Sequence, residues 1–200
     1  MNKDLITLKI KWNNCFVFRL DHTTKTTMAI QLETTRMILR EFMLNDIEDF
    51  HSLETNESVI KYLTNYPKRT LEESKELLNQ VISQYSNFKT GRLAMIDKAT
   101  QGFIGWCGIK FNNHKRHTYE NFYDLGYRIH PNYWGNGLAT EASVACLDFG
   151  LNELELLKIN AIVNTQNTQS MKVISKVGFN YKESFLEDET EKHWYEVAKK

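Results

Sequence analysis

The stretch with the clearest chemical meaning is YRIHPNYWGNGLATEA, residues 127–142. Pro131 ends the apolar run that opens it, because proline has no N–H to donate to a sheet. Gly135 and Gly137 then precede a helical pattern with apolar side chains at i, i+4, i+7, i+8 and i+11, formed by Leu138, Ala142, Ala145, Cys146 and Phe149. Backbone N–H groups at a helix start lack intrahelical partners and carry positive dipole character. The pattern therefore predicts an anion site, for a phosphate group, at this helix start.

The dipeptide Asn136-Gly137 allows a second interpretation, since it is also typical of a two-residue β-hairpin turn. The apolar helical face that follows favours the helix start. Two common phosphate-binding loops do not fit this stretch. It lacks the Gly-Lys-Ser/Thr ending of a P-loop, and it has no G-x-G-x-x-G with an acidic residue about 20 positions later.

Periodicity and capping signals after residue 35 predict the element order β-α-α-β-β-β-α-β-α-β-β once the N-terminal strand-like runs are set aside. Asn45 with Glu48, and Thr70 with Glu73, have the spacing of capping boxes, so each pair predicts a helix start. Gly178 is predicted to end the last helix in a left-handed conformation. The strands are predicted at RMILREF, RLAMID, GFIGWCGIKF, FYDLGYRI, LKINAIVN, FNYKESF and HWYEVAKK.

The first 31 residues differ from the rest in charge. They hold five basic and two acidic side chains, a charge of +3, so the remaining residues carry −3 within a net charge of zero. Residues 6–12 alternate as a strand would, Asn13-Asn14 is a turn signal, and residues 15–18 form a second apolar run before a polar linker. We predict an N-terminal extension, 1–31, before a domain at 32–200. The extension is either an added hairpin or sequence upstream of a start at Met28.

The overall composition is that of a folded globular chain, with 25 Lys+Arg against 25 Asp+Glu and 42% hydrophobic residues. The zero net charge argues against a surface that coats nucleic acid. No apolar run reaches the about 18–20 residues that cross a bilayer, and charged residues interrupt the N-terminus where a secretion signal would be apolar. Three scattered cysteines fit neither a disulfide framework nor a zinc site. We expect a cytoplasmic protein with no metal, no membrane contact and no direct nucleic-acid binding.

Two motifs together resemble those of the GNAT N-acetyltransferase superfamily, and more narrowly its RimJ/RimL branch of ribosomal-protein N-acetyltransferases. In WGNGLATEA, Trp134 departs from the general pattern Q/R-x-x-G-x-G/A but suits the W-G-x-G-x-A-T-E-A form of the branch. The second motif is NTQSMKVISKVGF, residues 167–179. The resemblance covers about residues 31–198. It implies an α/β fold (α+β in some schemes), with a mixed, mostly antiparallel twisted sheet flanked by helices.

The resemblance also implies acetyl-CoA as a cosubstrate, bound between the strands FYDLGYRI and LKINAIVN, which splay apart. Its pyrophosphate would lie on backbone N–H groups after Trp134, with Arg128 as one local source of positive charge. Asn167 would help to hold the cofactor arm, a role compatible with that of an ordinary N-cap. The residues that the resemblance assigns to acetyl-CoA are Tyr127, Ile129, His130, Gly135, Asn136, Gly137, Leu138, Ala139, Thr140 and Asn167.

The implied reaction is direct attack of a neutral primary amine on the thioester. Asp124 aligns with an acidic residue of the branch and is the candidate base, acting through water; the alternative is a strand-edge carboxylate without a catalytic role. Many family members have a tyrosine seven residues after the motif asparagine as the proton donor to the thiolate. This chain has Ile174 there, so Ser170 is the candidate acid, with Ser175 or solvent as alternatives. Glu141 is expected to order the loop or the acceptor pocket.

The acceptor that the resemblance implies is a protein N-terminus, and a homodimer is expected because the family is often dimeric. Two alternatives stay open. One is a small amine as acceptor, such as an aminoglycoside, a polyamine or an amino-acid analogue. The other is a catalytically silent acyl-CoA-binding module, which the absence of a tyrosine at Ile174 favours. Trp106, Tyr62 and Tyr66 are expected to line either the acceptor pocket or the core.

Overall fold

A computed structural model describes residues 8–12, 15–19, 29–63 and 65–199. The strands within these ranges are β1 (Leu8–Trp12), β2 (Cys15–Arg19), β3 (Gln31–Glu33), β4 (Met37–Arg40), β5 (Arg92–Asp97), β6 (Phe103–Asn112), β7 (Phe122–Ile129), β8 (Lys158–Asn164), β9 (Asn180–Glu187) and β10 (Thr190–Ala198). The helices are α1 (Ile47–Glu54), α2 (Glu57–Ile60), α3 (Leu71–Phe88), α4 (Leu138–Asp148), which continues into a π-helical turn at Phe149–Glu153, and α5 (Thr168–Lys176).

Eight of the described strands form one sheet in the order β3-β4-β5-β6-β7-β8-β10-β9, and β1 pairs with β2 in a separate antiparallel ribbon. Neighbouring strands of the large sheet are antiparallel except β7 and β8, which run parallel. The strands β7 and β8 pair at one position, Asp124 opposite Asn160. The predicted mixed, mostly antiparallel sheet flanked by helices is confirmed, and it parts between β7 and β8.

The sheet carries a helical layer on each face. Cys107 of β6 belongs to a buried cluster that includes Ala142 of α4 and Ile174 of α5. The preceding residue, Trp106, packs instead with side chains of α1 and α3, namely Phe50, Leu53 and Leu78. Because successive side chains of a strand point to opposite faces, α4 and α5 cover one face and α1 and α3 the other.

Two of the three predicted helix-end signals are confirmed. The Thr70 hydroxyl accepts a hydrogen bond from the Glu73 N–H at 3.3 Å, and the Glu73 carboxylate accepts one from the Thr70 N–H at 2.7 Å. Gly178, after α5, has the left-handed φ of +95°. The predicted N-cap at Asn45 is wrong. Asn45 lies inside a 3-10 turn, and Asp46 occupies the N-cap position of α1 without a side-chain cap hydrogen bond. The Asp46 carboxylate is held instead by Arg40 and by the Met43 N–H at 2.7 Å.

The observed element order adds two short elements to the predicted one. Gln31–Glu33 forms β3, although the sequence around it reads as linker, and Glu57–Ile60 forms the one-turn helix α2. At the N-terminus, β1 and β2 pair as the predicted hairpin would. The turn at Asn13-Asn14 and linker residues 20–28 lie outside the described residues. The domain boundary near residue 31 stays a prediction.

Candidate active site

The loop before α4 has the backbone of a helix entry and not of a hairpin. Residues 131–133 form a 3-10 turn, Gly135 and Gly137 have left-handed φ values of +78° and +75°, and α4 begins at Leu138. A Cβ atom at Gly137 would approach nothing closer than an Arg36 nitrogen at 3.8 Å. The glycines are therefore required by backbone conformation, and the space in front of this glycine loop (residues 134–140) is open. Gly135, Asn136 and Gly137 are exposed, whereas Leu138 is buried and Ala139 and Thr140 are half-buried.

Arg36 fixes the glycine loop from the side of β4. Its Nη1 donates to the Asn136 carbonyl at 2.8 Å, and its Nε donates to the Glu141 carboxylate at 2.7 Å. Burial alone would raise the pKa of Glu141, but hydrogen bonds from Thr34 and Arg36 outweigh it and lower that pKa. Glu141 is thus an ionised anchor of the loop, in agreement with its expected ordering role.

The strand β7 directs alternate backbone groups into the gap beside β8. The His130 N–H donates to the Ile104 carbonyl of the β6 side at 2.9 Å. Backbone groups alternate along a strand, so Leu125, Tyr127 and Ile129 face the opposite side. On that side, the Ile129 carbonyl accepts a hydrogen bond from Trp134 Nε1 at 2.6 Å. Tyr127 and Ile129 therefore have the orientation expected for cofactor contacts. The N–H of His130 is engaged by the sheet, and a cofactor contact of His130 stays a prediction.

The start of α5 meets β7 through Ser170. The Asn167 side chain accepts from the Ser170 N–H at 3.0 Å, so Asn167 is the N-cap of α5. The Tyr127 hydroxyl donates to Ser170 Oγ at 3.0 Å, and burial raises the pKa of Tyr127 to about 12. Ile174 is buried one turn further along α5. A hydroxyl pair thus lies one turn before the position that lacks the tyrosine.

Asp124 lies in a nearly buried ion pair. Arg92 Nη2 approaches its carboxylate at 2.5 Å, and the Asn112 amide donates to it as well. Burial alone would raise the pKa of Asp124, but the charge and hydrogen bonds of Arg92, together with Asn112, lower it. A carboxylate held in this way is a weak proton acceptor. The base role of Asp124 stays a prediction, and this geometry argues against it.

Sequence reasoning missed a buried polar cluster on the α1 face of the sheet, which we call the Glu54 cluster (Glu54, Tyr66, Trp106 and Arg128). Glu54 is 2% exposed, and its carboxylate accepts from Trp106 Nε1 at 2.9 Å and from both Arg128 and the Tyr66 hydroxyl. The sequence suggested that Arg128 lies beside the phosphate site, but its side chain is bound to Glu54 on the other face of the sheet. The strand alternation that sends Tyr127 to the α5 face places Arg128 on the other, and this signal was available in the sequence.

The segment after α2 reaches across the same face to β8. The Asn164 amide, at the end of β8, donates to the Tyr62 carbonyl at 3.1 Å. Tyr66, four residues later, belongs to the Glu54 cluster on β7. The segment thus contacts both strands that flank the gap, on the face opposite α4. Trp106, on β6, packs in the core, which is one of its two expected places. Tyr66 is half-buried beside β7, the strand that borders the gap, and its place in the acceptor pocket stays a prediction.

Comparison with known proteins decides the family. The model of the acetyltransferase (GNAT) domain matches residues 36–180, well over half of the chain. This chain is a GNAT acetyltransferase. It is similar to the uncharacterized N-acetyltransferase p20 of Bacillus licheniformis, with 30% identity over 168 residues, which are 84% of this chain and 88% of that one. GNAT acetyltransferases use acetyl-CoA, so the cosubstrate follows from the family.

Two further proteins indicate the range of the family around this GNAT chain. The spermidine N(1)-acetyltransferase of Escherichia coli strain K12 is 28% identical over 142 residues, covering 71% of this chain and 72% of that one. A structure from Vibrio cholerae, described as a candidate ribosomal-protein-serine acetyltransferase, superposes with a TM-score of 0.64 at 20% identity. The superposition covers 84% of this chain and 97% of that one. At that identity the likeness concerns the fold alone.

The described part of this GNAT chain contains neither a membrane-spanning helix nor a cluster of metal ligands. Its described helices include none that is both long enough and apolar enough to cross a bilayer. Over the same residues, no three His, Cys, Asp or Glu side chains are grouped as metal ligands. Cys107 of β6 and Cys146 of α4 are both buried.

Proposed function

We propose that this GNAT acetyltransferase moves the acetyl group of acetyl-CoA directly to a primary amine while both substrates are bound. The observation that carries the proposal is the open gap between β7 and β8, with the glycine loop at the start of α4. The left-handed glycines leave free space before a helix start, and Tyr127 and Ile129 turn backbone groups into the gap. These features fit an extended ligand with a pyrophosphate at one end.

The backbone of the glycine loop would bind the pyrophosphate, through N–H groups of residues 135–140. Each such contact at a helix start contributes about 0.3–1 kcal/mol, so few side-chain charges are needed. Arg36 and Glu141 would keep the loop in its binding conformation. Along β7, the N–H groups of Tyr127 and Ile129 would orient the arm of the cosubstrate.

Acetyl-CoA supplies the reactive acetyl thioester. An N–H of β7, from Tyr127 or Ile129, would polarise its carbonyl, and such a donor is typically worth about 10²–10³ in rate. As the amine nitrogen bonds to the acetyl carbon, the carbon–sulfur bond breaks and the sulfur needs a proton. Ser170 would donate it and would recover it from the Tyr127 hydroxyl, which donates a hydrogen bond to Ser170 Oγ. The proton that the nitrogen releases as the amide forms would return to Tyr127 through water, so the relay ends in its starting state.

The acceptor must lose its ammonium proton before its nitrogen can attack, and this proton has two possible routes. Asp124 can take it through water, as the sequence predicts, or the amine can lose it to solvent before it binds. The ion pair with Arg92 lowers the pKa of Asp124 and so favours the second route. The residual alternative, a silent acyl-CoA-binding module, loses its main support because Ser170 and Tyr127 form a hydroxyl pair close to the missing tyrosine.

The acceptor that we propose is a protein N-terminus, on the motif resemblance to the RimJ/RimL branch. A small amine is the second candidate, because the sequence similarity to a spermidine N(1)-acetyltransferase spans most of both chains. Incubation with acetyl-CoA and with N-terminal peptides or small amines separates the two, with release of free thiol as the readout. Tight acetyl-CoA binding without turnover on any amine would contradict the enzymatic proposal.

Gly137→Val tests the glycine loop. A β-branched residue is strained at a φ of +75°, so we expect the loop to change conformation and acetyl-CoA affinity to fall at least tenfold. Gly178→Val is the matched control, because it places the same strain at φ +95° after α5, where a Cβ meets nothing within 4 Å. Unchanged acetyl-CoA affinity in Gly137→Val, measured by calorimetry, would remove the glycine loop from the proposal.

A further inference from the structure

Two guanidinium groups lie close to the ring of Tyr66. Arg69 lies over the ring with its guanidinium carbon 4.2 Å from the centroid, and Arg128 lies at 4.7 Å. Glu54 is the carboxylate of the same cluster, and it accepts from Arg128, Tyr66 and Trp106. Among Arg69, Arg128 and Glu54 the formal charges sum to +1, since Tyr66 and Trp106 are neutral.

Arg69 has a buried hydrogen-bond donor that lacks an acceptor in the described part of the chain. Its Nη1 is buried and has no hydrogen-bond partner among the residues that the structure describes. Glu73 attracts Arg69 electrostatically. The Glu73 carboxylate, however, accepts from the backbone N–H and the hydroxyl of Thr70 as the cap of α3. A buried donor without an acceptor is unfavourable, so it calls for an explanation such as an absent binding partner.

The position of this charge relates it to the reaction. Arg128 stands on β7 between Tyr127 and Ile129, and its side chain lies on the face opposite α4 and α5. The segment that carries Tyr62, Tyr66 and Arg69 is tied to β8 by the Asn164 amide. An amine that approaches the thioester from this face would therefore pass beside Arg69 and Arg128.

We propose that Arg69, supported by Arg128, binds an anionic group of the acceptor, and that the acceptor is a primary amine with a carboxylate close to it. This inference rests on the proposed function. The planar fork of a guanidinium matches a carboxylate with two parallel hydrogen bonds. The two guanidinium groups beside Tyr66 disfavour a polyamine, because its second ammonium group would face Arg69 and Arg128 while Glu54 already accepts from three donors.

The test compares acceptors that differ in one carboxylate, with calorimetric titration into the full chain saturated with CoA. The first pair is Ser-Glu-Ala-Ala and Ser-Gln-Ala-Ala, both amidated at the C-terminus, and the second is glycine and glycinamide. We expect the acid of at least one pair to bind roughly ten- to a hundredfold more tightly than its amide, as for a charge-assisted hydrogen bond. The pair that shows the preference identifies the source of the carboxylate, a peptide or a free amino acid.

Arg69→Gln should reduce that preference to less than about threefold without changing CoA affinity. Lys68→Gln is the matched control, because it removes the same charge at the neighbouring position. The Lys68 side chain is 83% exposed. Arg69→Lys, which keeps the charge but not the fork, should give an intermediate preference. The comparison of acid with amide on the unmodified protein needs no variant, so an Arg69→Gln protein that fails to fold leaves the test intact.

Equal binding within both pairs, or an equal loss for acid and amide in Arg69→Gln, would overturn the inference. Acetylation of spermidine alone would overturn it as well while supporting the transferase. Acid-specific binding that depends on Arg69, without any acetyl transfer from acetyl-CoA, would support the anionic subsite and contradict the proposed function.

Discussion

At the scale of single residues, Asp124 illustrates how burial decides what a carboxylate does. Its side chain is 14% exposed and faces Arg92, whose side chain is 13% exposed. Arg92 lies flat over the sheet, since a Cβ at Gly126 would come within 2.9 Å of its Nη2. Two buried charges that satisfy each other are costly to separate, because removal of one leaves the other uncompensated.

We therefore expect Asp124→Asn to lower the free energy of unfolding at pH 7 by about 3–5 kcal/mol, the usual cost of breaking a buried pair. The pKa of Asp124 is lowered on folding. Its stabilisation is thus complete above the unfolded value of about 3.9 and is lost as the pH falls through the folded value. Urea unfolding between pH 7 and pH 3 checks this, since the difference between wild type and variant should shrink at low pH.

Glu120→Gln, at an exposed carboxylate in the loop before β7, is the control and should leave stability unchanged. The same Asp124→Asn protein also tests the base role. A flattened pH–rate profile in a protein of undiminished stability would establish Asp124 as the base and contradict the structural role.

The hydrogen bond between Tyr127 and Ser170 leads to a separate prediction about proton delivery to the thiolate. Ser170→Ala should lower kcat by about 10²–10⁴, the range for general acid–base help, and should leave acetyl-CoA affinity in place. The α5 cap survives the change because Asn167 accepts from the backbone N–H of residue 170. Tyr127→Phe should lower kcat to a similar or smaller extent. Ser175→Ala, at an exposed position of α5, tests the alternative acid and should leave kcat unchanged. A kcat in Ser170→Ala equal to that of the wild type would exclude the proton relay.

At the scale of elements, the glycine loop depends on a strand that is remote in sequence. Arg36, beside β4, holds both the Asn136 carbonyl and the Glu141 carboxylate. Arg36→Ala should weaken acetyl-CoA binding by about two- to tenfold, the worth of one or two partly exposed hydrogen bonds. Lys98→Ala, which removes the neighbouring pair with Glu33, serves as the control. Calorimetry measures the acetyl-CoA affinity of both variants. Equal acetyl-CoA affinities would show that the loop holds its conformation without Arg36.

Elements with strong local signals could be predicted from the sequence, and those fixed by distant contacts could not. The Thr70–Glu73 capping box and the left-handed Gly178 are encoded within a few residues. Strand β3 spans three residues and exists because β4 pairs with it. The N-cap prediction at Asn45 failed because Arg40 anchors the neighbouring Asp46.

The same distinction holds for the site. The glycine loop has a local signature, as does the Asn167 cap. The Glu54 cluster joins side chains from α1, the segment before α3, β6 and β7, up to 74 positions apart. No periodicity records such a meeting, although strand alternation separates Arg128 from Tyr127 once β7 is known.

At the scale of the whole molecule, the strands β1 and β2 of the basic N-terminal extension are not hydrogen-bonded into the large sheet, although β2 lies near β3. They pair with each other in a ribbon of their own. We expect a variant that begins at Met28 to fold and to bind acetyl-CoA with the affinity of the full chain, within about threefold. Thermal unfolding and calorimetry measure both properties. An insoluble or unstable variant would show that the boundary prediction is wrong and that the extension belongs to the folded unit. The expected homodimer and cytoplasmic location also stay predictions.

The strands β7 and β8 pair at a single position, and this affects the stability of the protein when no ligand fills the gap. A sheet that separates between two strands has its least protected backbone amides there, at the alternate β7 residues that face the gap, such as Tyr127 and Ile129, and local opening begins at such places. A ligand that fills the gap and binds only the folded state shifts the balance toward that state by mass action. The supply of acetyl-CoA would then govern how long each copy resists proteolysis and heat, as well as how fast it works.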